Sequence, residues 1–317
     1  MERLSNKKNL LAFSAGVDST ALFFMLLAKN IKFDIAIVDY NLREQSKEEV
    51  TYALKLAKLY NKKLFVKEFP KEEKFSEKKA RDFRYEFFDT IIEDENYQVL
   101  LTAHQLNDKF EWFLMQMSKG AGLTELIGLE EYEKKDKYSI YRPLLNYTKE
   151  DLQQFLDDKD IKYFIDKSNF DTKYKRNHFR QNYSDKFLNE YSAGVKRSFE
   201  YLDKDKKSLL EDVSVVNQEQ LTIFNFNGEE NVALRLIDKE LKQRGIIISK
   251  ATRDEIWLQK EIIISNKIAV SITPYQIWIA PKSTKTMTKE FKEKCRINLI
   301  PSNIRSYISS IDYVLWN

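Results

Sequence analysis

The chain has 317 residues and a formal net charge of +4, with 43% hydrophobic and 32% charged residues. This length gives room for about two domains, and no apolar stretch is long enough to cross a membrane, so we expect a globular, cytoplasmic protein. The single cysteine, Cys295, excludes an intramolecular disulfide framework and a metal cluster held by cysteines alone, and the presence of only two histidines argues against a zinc site.

The first predicted elements are a strand, a polar turn and a helix near the N-terminus. Residues 10–13 form a short apolar run that predicts a buried parallel strand, and a helical pattern begins at residue 17 or 18. The turn between them directs backbone N–H groups and the positive end of a helix dipole beyond the sheet edge, and Ser14, Ser19 and Thr20 add hydroxyl donors. The stretch therefore predicts a phosphate site. A polar turn that only caps a helix is the alternative.

Strands and helices alternate through the next hundred residues. Three further strands are predicted at residues 33–38, 63–66 and 98–102, and three helices at 46–60, 75–95 and 106–117. The first of these helices is predicted to open with a capping box of Ser46 and Glu49. The alternation predicts an α/β fold with a doubly wound, mostly parallel sheet, in which ligands lie beyond the carboxyl ends of the strands.

The remainder of the chain is predicted to end in a smaller module of mixed α+β structure. An extended stretch at 138–145 and helices at 148–159 and 187–210 come first; helices at 232–244 and 251–260 and strands at 262–264, 268–272 and 276–280 follow. We therefore predict a catalytic domain at residues 1–185, a helical linker at 186–215 and a C-terminal domain at 216–317.

The positive charge lies in the second part of the chain. Residues 186–317 hold 21 Lys and Arg against 17 Asp and Glu, whereas residues 1–185 hold 32 of each. A basic module suits a polyanion such as RNA, although charge alone favours the explanation by a solvated, lysine-rich surface.

Residues 14–19 read S-A-G-V-D-S and lack the second glycine and the Lys-Ser/Thr pair of a Walker A loop. The stretch resembles the pyrophosphate loop of the N-type ATP pyrophosphatases, S-G-G-x-D-S, with Ala15 at the second position. Further stretches are similar to one branch of that family, the tRNA(Ile)-lysidine synthases. Residues 38–43, V-D-Y-N-L-R, are similar to V-D-H-x-L-R, and residues 77–85, E-K-K-A-R-D-F-R-Y, to E-x-x-A-R-x-x-R-Y.

The resemblance continues through the following motifs. Residues 102–111 read T-A-H-Q-L-N-D-K-F-E against the pattern T-A-H-H-x-D-D-Q-x-E, so Gln105, Asn107 and Lys109 depart from it. The last group of motifs is similar to G-x-G-L at 120–123, R-P-L-L at 142–145, D-x-S-N at 166–169 and R-N-x-x-R at 176–180. The resemblance covers about the first 183 residues with specific motifs. Beyond them, a basic module is more weakly similar to the family's tRNA-binding region.

The resemblance implies an adenine nucleotide alpha hydrolase-like fold and a two-step reaction. The O2 oxygen of the wobble cytidine in an isoleucine tRNA with a CAU anticodon attacks the α-phosphate of ATP and releases pyrophosphate; the ε-amine of L-lysine then displaces AMP at C2. ATP and Mg²⁺ are the implied cofactors, and tRNA(Ile) and L-lysine are the implied partners. The oligomeric state stays open, with a homodimer as one arrangement.

The resemblance also carries roles to residues of this chain. It implies that the loop and one strand end bind ATP, through Ser14, Ala15, Gly16, Val17, Asp18, Ser19, Thr20 and Asp39. It implies that Asp18, Arg81, His104 and Asp108 act in catalysis, with Asp18 and Asp108 as Mg²⁺ ligands. The implied substrate-binding residues are Arg84, Glu111, Ser168, Asn169, Arg176, Asn177 and Arg180. For Asp39, a loop-capping role is the alternative.

Three other functions stay open at the level of sequence. A tRNA thiolase would share the loop, but Cys295 supplies too few sulfur ligands for paired cysteines or an iron–sulfur cluster. An amidating relative would require a source of ammonia, and no N-terminal glutaminase pattern with a catalytic cysteine is visible. The substitutions at Ala15, Gln105 and Asn107 keep a non-catalytic RNA-binding protein open.

Overall fold

The computed structural model describes residues 4–41, 44–70, 76–165, 175–209 and 213–311. The predicted substrate-binding residues Ser168 and Asn169 lie outside these ranges. The chain divides into two compact units, Met1–Leu202 and Asp203–Asn317, and the division falls within a long helix, Asp185–Leu209. The predicted domain limits at residues 185 and 215 stay predictions. None of the described helices is both long and apolar enough to span a bilayer.

The first unit alternates strands and helices. Its strands are β1 (Asn9–Ala12), β2 (Asp34–Asp39), β3 (Leu64–Glu68), β4 (Val99–Leu101), β5 (Tyr132–Lys134) and β6 (Ser139–Tyr141). Its helices are α1 (Val17–Ala28), α2 (Glu44–Leu59), α3 (Glu77–Glu95), α4 (Leu106–Met117), α5 (Leu123–Ile127), α6 (Lys149–Asp157), α7 (Lys175–Phe179) and α8 (Asp185–Leu209), with a π-helical turn, Arg180–Ser184, between the last two.

The six strands form one sheet in the order β3-β2-β1-β4-β6-β5. All neighbours are parallel except β5 and β6, which pair antiparallel. Buried apolar side chains cover both faces: Leu22 of α1 and Leu152 of α6 belong to the core on one face, and Phe88 and Ile92 of α3 to the core on the other. Strands covered on both sides read as continuous apolar runs, so the predicted doubly wound sheet is confirmed.

Some local predictions differ from the structure at helix starts and short elements. Helix α2 begins at Glu44, so Ser46 lies inside it and does not cap it. Ser76 and Thr148 do cap α3 and α6, through hydrogen bonds from the N–H groups of Lys79 and Asp151. Strand β5 and helix α5 were not predicted, because three to five residues are too few to display a hydrophobic period.

The second unit is a five-stranded antiparallel sheet with helices on both faces. Its strands are β7 (Ser214–Gln218), β8 (Leu221–Asn225), β9 (Glu261–Ile264), β10 (Ile268–Ile272) and β11 (Gln276–Pro281), in the order β7-β8-β11-β10-β9. Its helices are α9 (Glu230–Gln243), α10 (Lys250–Gln259), α11 (Lys289–Ile297) and α12 (Arg305–Ile308). Ile237 and Ile256 lie in the core on one face, and Cys295 and Ile304 in the core on the other, so the predicted α+β class is confirmed.

Candidate functional site

The turn after β1 folds back on the first turn of α1. The N–H of Ser14 donates to the hydroxyl of Ser19 at 3.1 Å, and the two hydroxyl oxygens are also 3.1 Å apart. The Ser19 hydroxyl in turn donates to the carbonyl of Gly16 at 3.3 Å. The carbonyl of Ala15 accepts the N–H of Phe164 at 2.9 Å. The turn is thus stabilised by hydrogen bonds to the Ser19 side chain in α1 and by a backbone hydrogen bond to the segment that follows α6.

Ala15 adopts a left-handed backbone conformation, with φ of +57°. The family pattern has glycine there, and an L-residue with a side chain pays roughly 1–2 kcal/mol for this conformation. The Ala15 methyl is fully buried in the core beneath the loop. The substitution therefore keeps the shape of the turn, and burial of the methyl group offsets part of the backbone cost.

Asp18 and Thr20 present buried oxygen atoms that have no partner in the described part of the chain. These atoms are Oδ1 of Asp18 and the hydroxyl oxygen of Thr20. Burial, reinforced by the charge of Asp108, raises the pKa of Asp18 to about 7, although Lys149 and Arg180 act in the opposite direction. A buried carboxylate oxygen without a donor is a ready ligand for a cation, so Asp18 fits the expected Mg²⁺.

Asp39 ends β2 at the same carboxyl edge of the sheet and is 7% exposed. Its Oδ1 accepts the N–H of Asn41 at 2.8 Å, which is the loop-capping arrangement. Its role in nucleotide binding stays a prediction.

His104 follows β4 and is held by Thr102, whose hydroxyl lies 3.0 Å from its Nδ1. Burial lowers the pKa of His104 to about 4; the Asp108 carboxylate opposes this shift, and the positive charges of Arg142, Arg176 and Arg84 reinforce it. The imidazole is therefore neutral at physiological pH and offers one donor and one acceptor.

Helix α4 starts with a capping box that occupies one oxygen of Asp108. The N–H of Gln105 donates to Asp108 Oδ2 at 3.0 Å, and the side-chain oxygen of Gln105 accepts the N–H of Asn107 at 2.5 Å. Gln105, at a position where the family pattern has histidine, thus serves as the helix cap.

Two carboxylates of α4 meet two arginines, one from the start of α7 and one from the start of the π-helical turn. Arg176 contacts Asp108 Oδ1 at 2.5 Å and Glu111 Oε2 at 2.9 Å, and Arg180 contacts both carboxylates as well. Glu111 is fully buried, whereas the side chains of Arg176 and Arg180 are 45% and 16% exposed. The structure therefore brings four predicted site residues together as ion pairs with one another. Their predicted contacts with substrate or Mg²⁺ stay predictions.

Asn107 joins three helices. Its amide nitrogen donates to the Asp185 carboxylate at 2.8 Å, and its amide oxygen accepts the backbone N–H of Lys149 at 3.2 Å. An aspartate, which the family pattern has here, could not donate to Asp185. The substitution at Asn107 is therefore matched by the residue that it contacts at the start of α8.

The two predicted arginines of α3 have different surroundings. Arg81 is exposed, and its guanidinium carbon lies 5.4 Å from the centre of the Tyr85 ring. Arg84 is hydrogen-bonded to Tyr40. Its positive charge contributes to the lowered pKa of His104. Of the two, only Arg84 is shown to act on another predicted site residue, and the catalytic role expected of Arg81 stays a prediction.

Asn177, which is predicted to bind substrate, lies in α7 and is 7% exposed. Its contact with substrate stays a prediction.

No group of three or more His, Cys, Asp or Glu side chains able to hold a metal ion occurs in the described ranges. Both oxygens of Asp108 are already engaged. A Mg²⁺ ion at Asp18 would commonly take nucleotide phosphate oxygens as further ligands, and the predicted role of Asp108 as a second protein ligand stays a prediction.

Lys149 is one of the charged residues that act on Asp18, but the sequence motifs do not include it. It is the first residue of α6, and its charge acts on Asp18. Its position is itself a signal in the sequence, because a cation in the first turn of a helix opposes the helix dipole.

Comparisons with known proteins found a family model and relatives that match most of the chain. A PP-loop domain model matches residues 1–186. The tRNA(Ile)-lysidine synthase of Campylobacter jejuni strain RM1221 is 43% identical over 306 residues, which are 96% of this chain and 93% of that protein. The synthase of Helicobacter pylori strain 26695 is 43% identical over 313 residues, which are 96% of this chain and 90% of that protein. The synthase of Wolinella succinogenes is 39% identical over 317 residues, which are 99% of this chain and 97% of that protein.

A solved structure supports the fold alone. The U34-tRNA thiolase NcsA from Methanococcus maripaludis superimposes with a TM-score of 0.53 at 15% identity, over 64% of this chain and 74% of that one. This similarity concerns the fold of the chain and carries no assignment of activity.

Proposed function

The chain belongs to the tRNA(Ile)-lysidine synthases and carries their PP-loop domain, and from this premise we propose that it joins L-lysine to the wobble cytidine of an isoleucine tRNA with consumption of ATP. The observation that carries the proposal is a similarity that spans 96% of this chain and 93% of the Campylobacter jejuni enzyme. The thiolase, amidating and non-catalytic alternatives are not favoured, because the relatives matched over nearly the whole chain are lysidine synthases.

The proposed reaction has two bond exchanges. In the first, the cytidine O2 forms a bond to the α-phosphorus of ATP while the bond to the pyrophosphate oxygen breaks. In the second, the lysine amine forms a bond to C2, AMP departs with the O2 oxygen, and the amine loses its proton. Chemistry of this kind depends mainly on positioning and on neutralising negative charge.

Residues of the loop support the first exchange. The N-terminal end of α1 faces the carboxyl edge of the sheet, where backbone N–H groups attract phosphate oxygens. Asp18 would hold Mg²⁺, which supplies positive charge to the phosphates when it is bound. The neutral His104 would hydrogen-bond to a substrate without adding charge, and Asp108 and Glu111 fix Arg176 and Arg180 near the loop.

We assign the finer partners as follows. L-lysine is the amine donor, and tRNA(Ile) with a CAU anticodon is the acceptor, its wobble base turned out of the stack so that the enzyme can reach it. The basic second unit is proposed to contact the tRNA backbone, and the enzyme is proposed to act in the cytoplasm. A homodimer remains one arrangement to be tested by light scattering.

Incorporation of radiolabelled lysine tests the proposal. The full chain is incubated with ATP, Mg²⁺ and unmodified isoleucine tRNA carrying a CAU anticodon, beside the same reaction with methionine tRNA. We expect label in the isoleucine tRNA alone, and a loss of about 100-fold or more in Asp18→Ala, the order seen when a preorganised electrostatic group is removed from an active site. Cleavage of ATP to AMP without transfer of label would leave a PP-loop enzyme with a different acceptor.

A further inference from the structure

Lys149 stands beside the nucleotide loop on a fixed backbone. The side chains of Leu152 and Leu156 of α6 are fully buried in the same core as Leu22 and Leu26 of α1, which anchors the two helices together. The N–H of Lys149 is held by Asn107, as described above. The first residue of α6 therefore has a defined position relative to the loop.

Three backbone N–H groups at this helix start, those of Thr148, Lys149 and Asp151, are already hydrogen-bonded. The hydroxyl of Thr148 accepts the N–H of Asp151 at 3.0 Å, and the Asp151 carboxylate accepts the N–H of Thr148 at 2.8 Å. The N–H of Lys149 itself donates to Asn107. An anion near this helix start would therefore be met by the ammonium group of Lys149 and not by these backbone amides.

Two cations, Lys149 and Arg180, and two further carboxylates, Asp108 and Glu111, act electrostatically on Asp18. Arg180 is committed to ion pairs with Asp108 and Glu111. Among the described residues, the half-buried Lys149 makes no side-chain ion pair or hydrogen bond, and its helix neighbour Asp151 pairs with Lys196 instead. Lys149 is therefore the cation of this group that is not engaged by Asp108 or Glu111, and the carboxylate on which its charge acts is Asp18.

An unpaired lysine at the first position of a helix is locally unfavourable. The positive end of the helix dipole repels a cation there, and no ion pair within the described residues of α6 compensates. Residues that break a local rule without local compensation are expected at functional sites. An anion bound between Lys149 and the loop would supply the missing compensation.

We propose that the Lys149 ammonium binds the β- and γ-phosphates of ATP, the part that departs as pyrophosphate. The proposal rests on the proposed function, since it presumes that the loop binds the triphosphate of ATP. The loop lies at the N-terminal end of α1, and Asp18 is in its first turn, so the phosphate nearest Lys149 is one held by the loop. Lys149 is a substrate-binding residue in this assignment.

Binding of nucleotides without tRNA tests the assignment. Calorimetry measures the dissociation constants of α,β-methylene-ATP and AMP, with Mg²⁺, for the wild-type chain, Lys149→Ala, Lys149→Arg and Lys159→Ala. Lys159 is an exposed lysine just beyond the other end of α6 and serves as the matched control. Each alanine variant keeps the backbone N–H at its position, so the contact of residue 149 with Asn107 is retained.

We expect Lys149→Ala to weaken α,β-methylene-ATP binding about 10- to 100-fold, the range that corresponds to one hydrogen bond to a charged group. AMP binding and the thermal midpoint stay at wild-type values, Lys149→Arg recovers most of the affinity, and Lys159→Ala resembles the wild type. Inhibition by inorganic pyrophosphate weakens in parallel in Lys149→Ala.

Two results would overturn the assignment: wild-type affinity in Lys149→Ala, or equal losses for α,β-methylene-ATP and AMP with a lower thermal midpoint, which indicates a structural role. The lysine-incorporation assay separates this failure from failure of the proposed function. A wild-type chain that binds the analogue but labels no tRNA contradicts the proposed function alone, whereas one that binds no nucleotide contradicts both.

Discussion

Burial of Asp18 opposes the negative charge that its predicted role as a Mg²⁺ ligand requires. One of its carboxylate oxygens is buried and has no hydrogen-bond partner among the described residues, and its pKa is raised from 3.8 to about 7. Between these two values the native protein binds more protons than the unfolded chain does. The contribution of Asp18 to the free energy of unfolding is therefore full at low pH and is lost as the pH rises through about 7.

We expect Asp18→Asn to remove this loss. Between pH 5 and pH 7, the free energy of unfolding of the variant should rise relative to that of the wild type by about 2–3 kcal/mol, at 1.36 kcal/mol per pH unit. Urea titrations without Mg²⁺ or nucleotide measure the difference, and Asp94→Asn, which removes an exposed carboxylate, controls for net charge. Equal pH dependence in Asp18→Asn and the wild type would show that Asp18 ionises normally.

The backbone of Ala15 yields a second prediction for a single residue. A β-branched side chain in the left-handed conformation is far less tolerable than alanine, so we expect Ala15→Val to lower the free energy of unfolding by more than about 2 kcal/mol. Ala15→Gly should change it by less than about 1 kcal/mol, because relief of strain opposes the loss of the buried methyl and the higher entropy of the unfolded chain. Chemical denaturation measures the free energy of unfolding of both variants. An unchanged free energy of unfolding in Ala15→Val would contradict the left-handed conformation of residue 15.

At the scale of secondary-structure elements, the starts of α4, α6 and α8 meet at one side chain. Asn107 on α4 donates to Asp185 on α8 and accepts from the first residue of α6. Because Asn107 is 5% exposed, the hydrogen bonds at this junction are made largely away from water. The junction is therefore sensitive to the donor and acceptor character of residue 107, beyond its size.

We expect Asn107→Asp, which restores the family residue, to destabilise this chain by about 1–3 kcal/mol, because a buried donor is lost and two carboxylates face each other. Asp185→Asn should recover much of that loss in the double variant, since an amide at 185 can donate to the new carboxylate. Thermal unfolding of the two single variants and the double variant forms a thermodynamic cycle. Additive losses would mean that the two side chains are not coupled.

At the scale of the whole molecule, the chain forms two units, each with buried apolar cores of its own. The second unit covers both faces of its sheet with its own helices, through Ile237 and Ile256 on one side and Cys295 and Ile304 on the other. A unit of this kind has what a domain needs to fold alone.

We expect a fragment of residues 203–317 to fold cooperatively and to bind tRNA more weakly than the full chain, with a salt dependence typical of phosphate contacts. Circular dichroism during thermal unfolding and filter binding at several salt concentrations measure the two properties. A fragment of residues 1–202 should still bind ATP. Loss of a cooperative transition in the 203–317 fragment would show that its core is completed by the first unit.

Much of the fold follows from local pattern. Helix α4 was predicted with its observed bounds, and strands β1 to β4 within about two residues, because a buried apolar run and a helical period are properties of neighbouring residues. Helix α11 was not predicted, since only one of its nine residues, Cys295, is buried, and lysines dominate the stretch. The motifs likewise located the loop, Asp18 and His104 at the carboxyl ends of strands, where the structure places them.

The sequence by itself determined the sheet class, the polar turn after β1 and the family, because each depends on residues within one short stretch or on the order of such stretches. Only the tertiary structure decided that Arg176 and Arg180 pair with Asp108 and Glu111, that Asn107 is matched by Asp185, and that the charge of Lys149 acts on Asp18. These contacts join residues far apart in the chain. They exist because the strand order and the packing of α6 on α1 bring separate helix starts to one edge of the sheet. The local periodicity of the sequence contains no information about which helix starts come together.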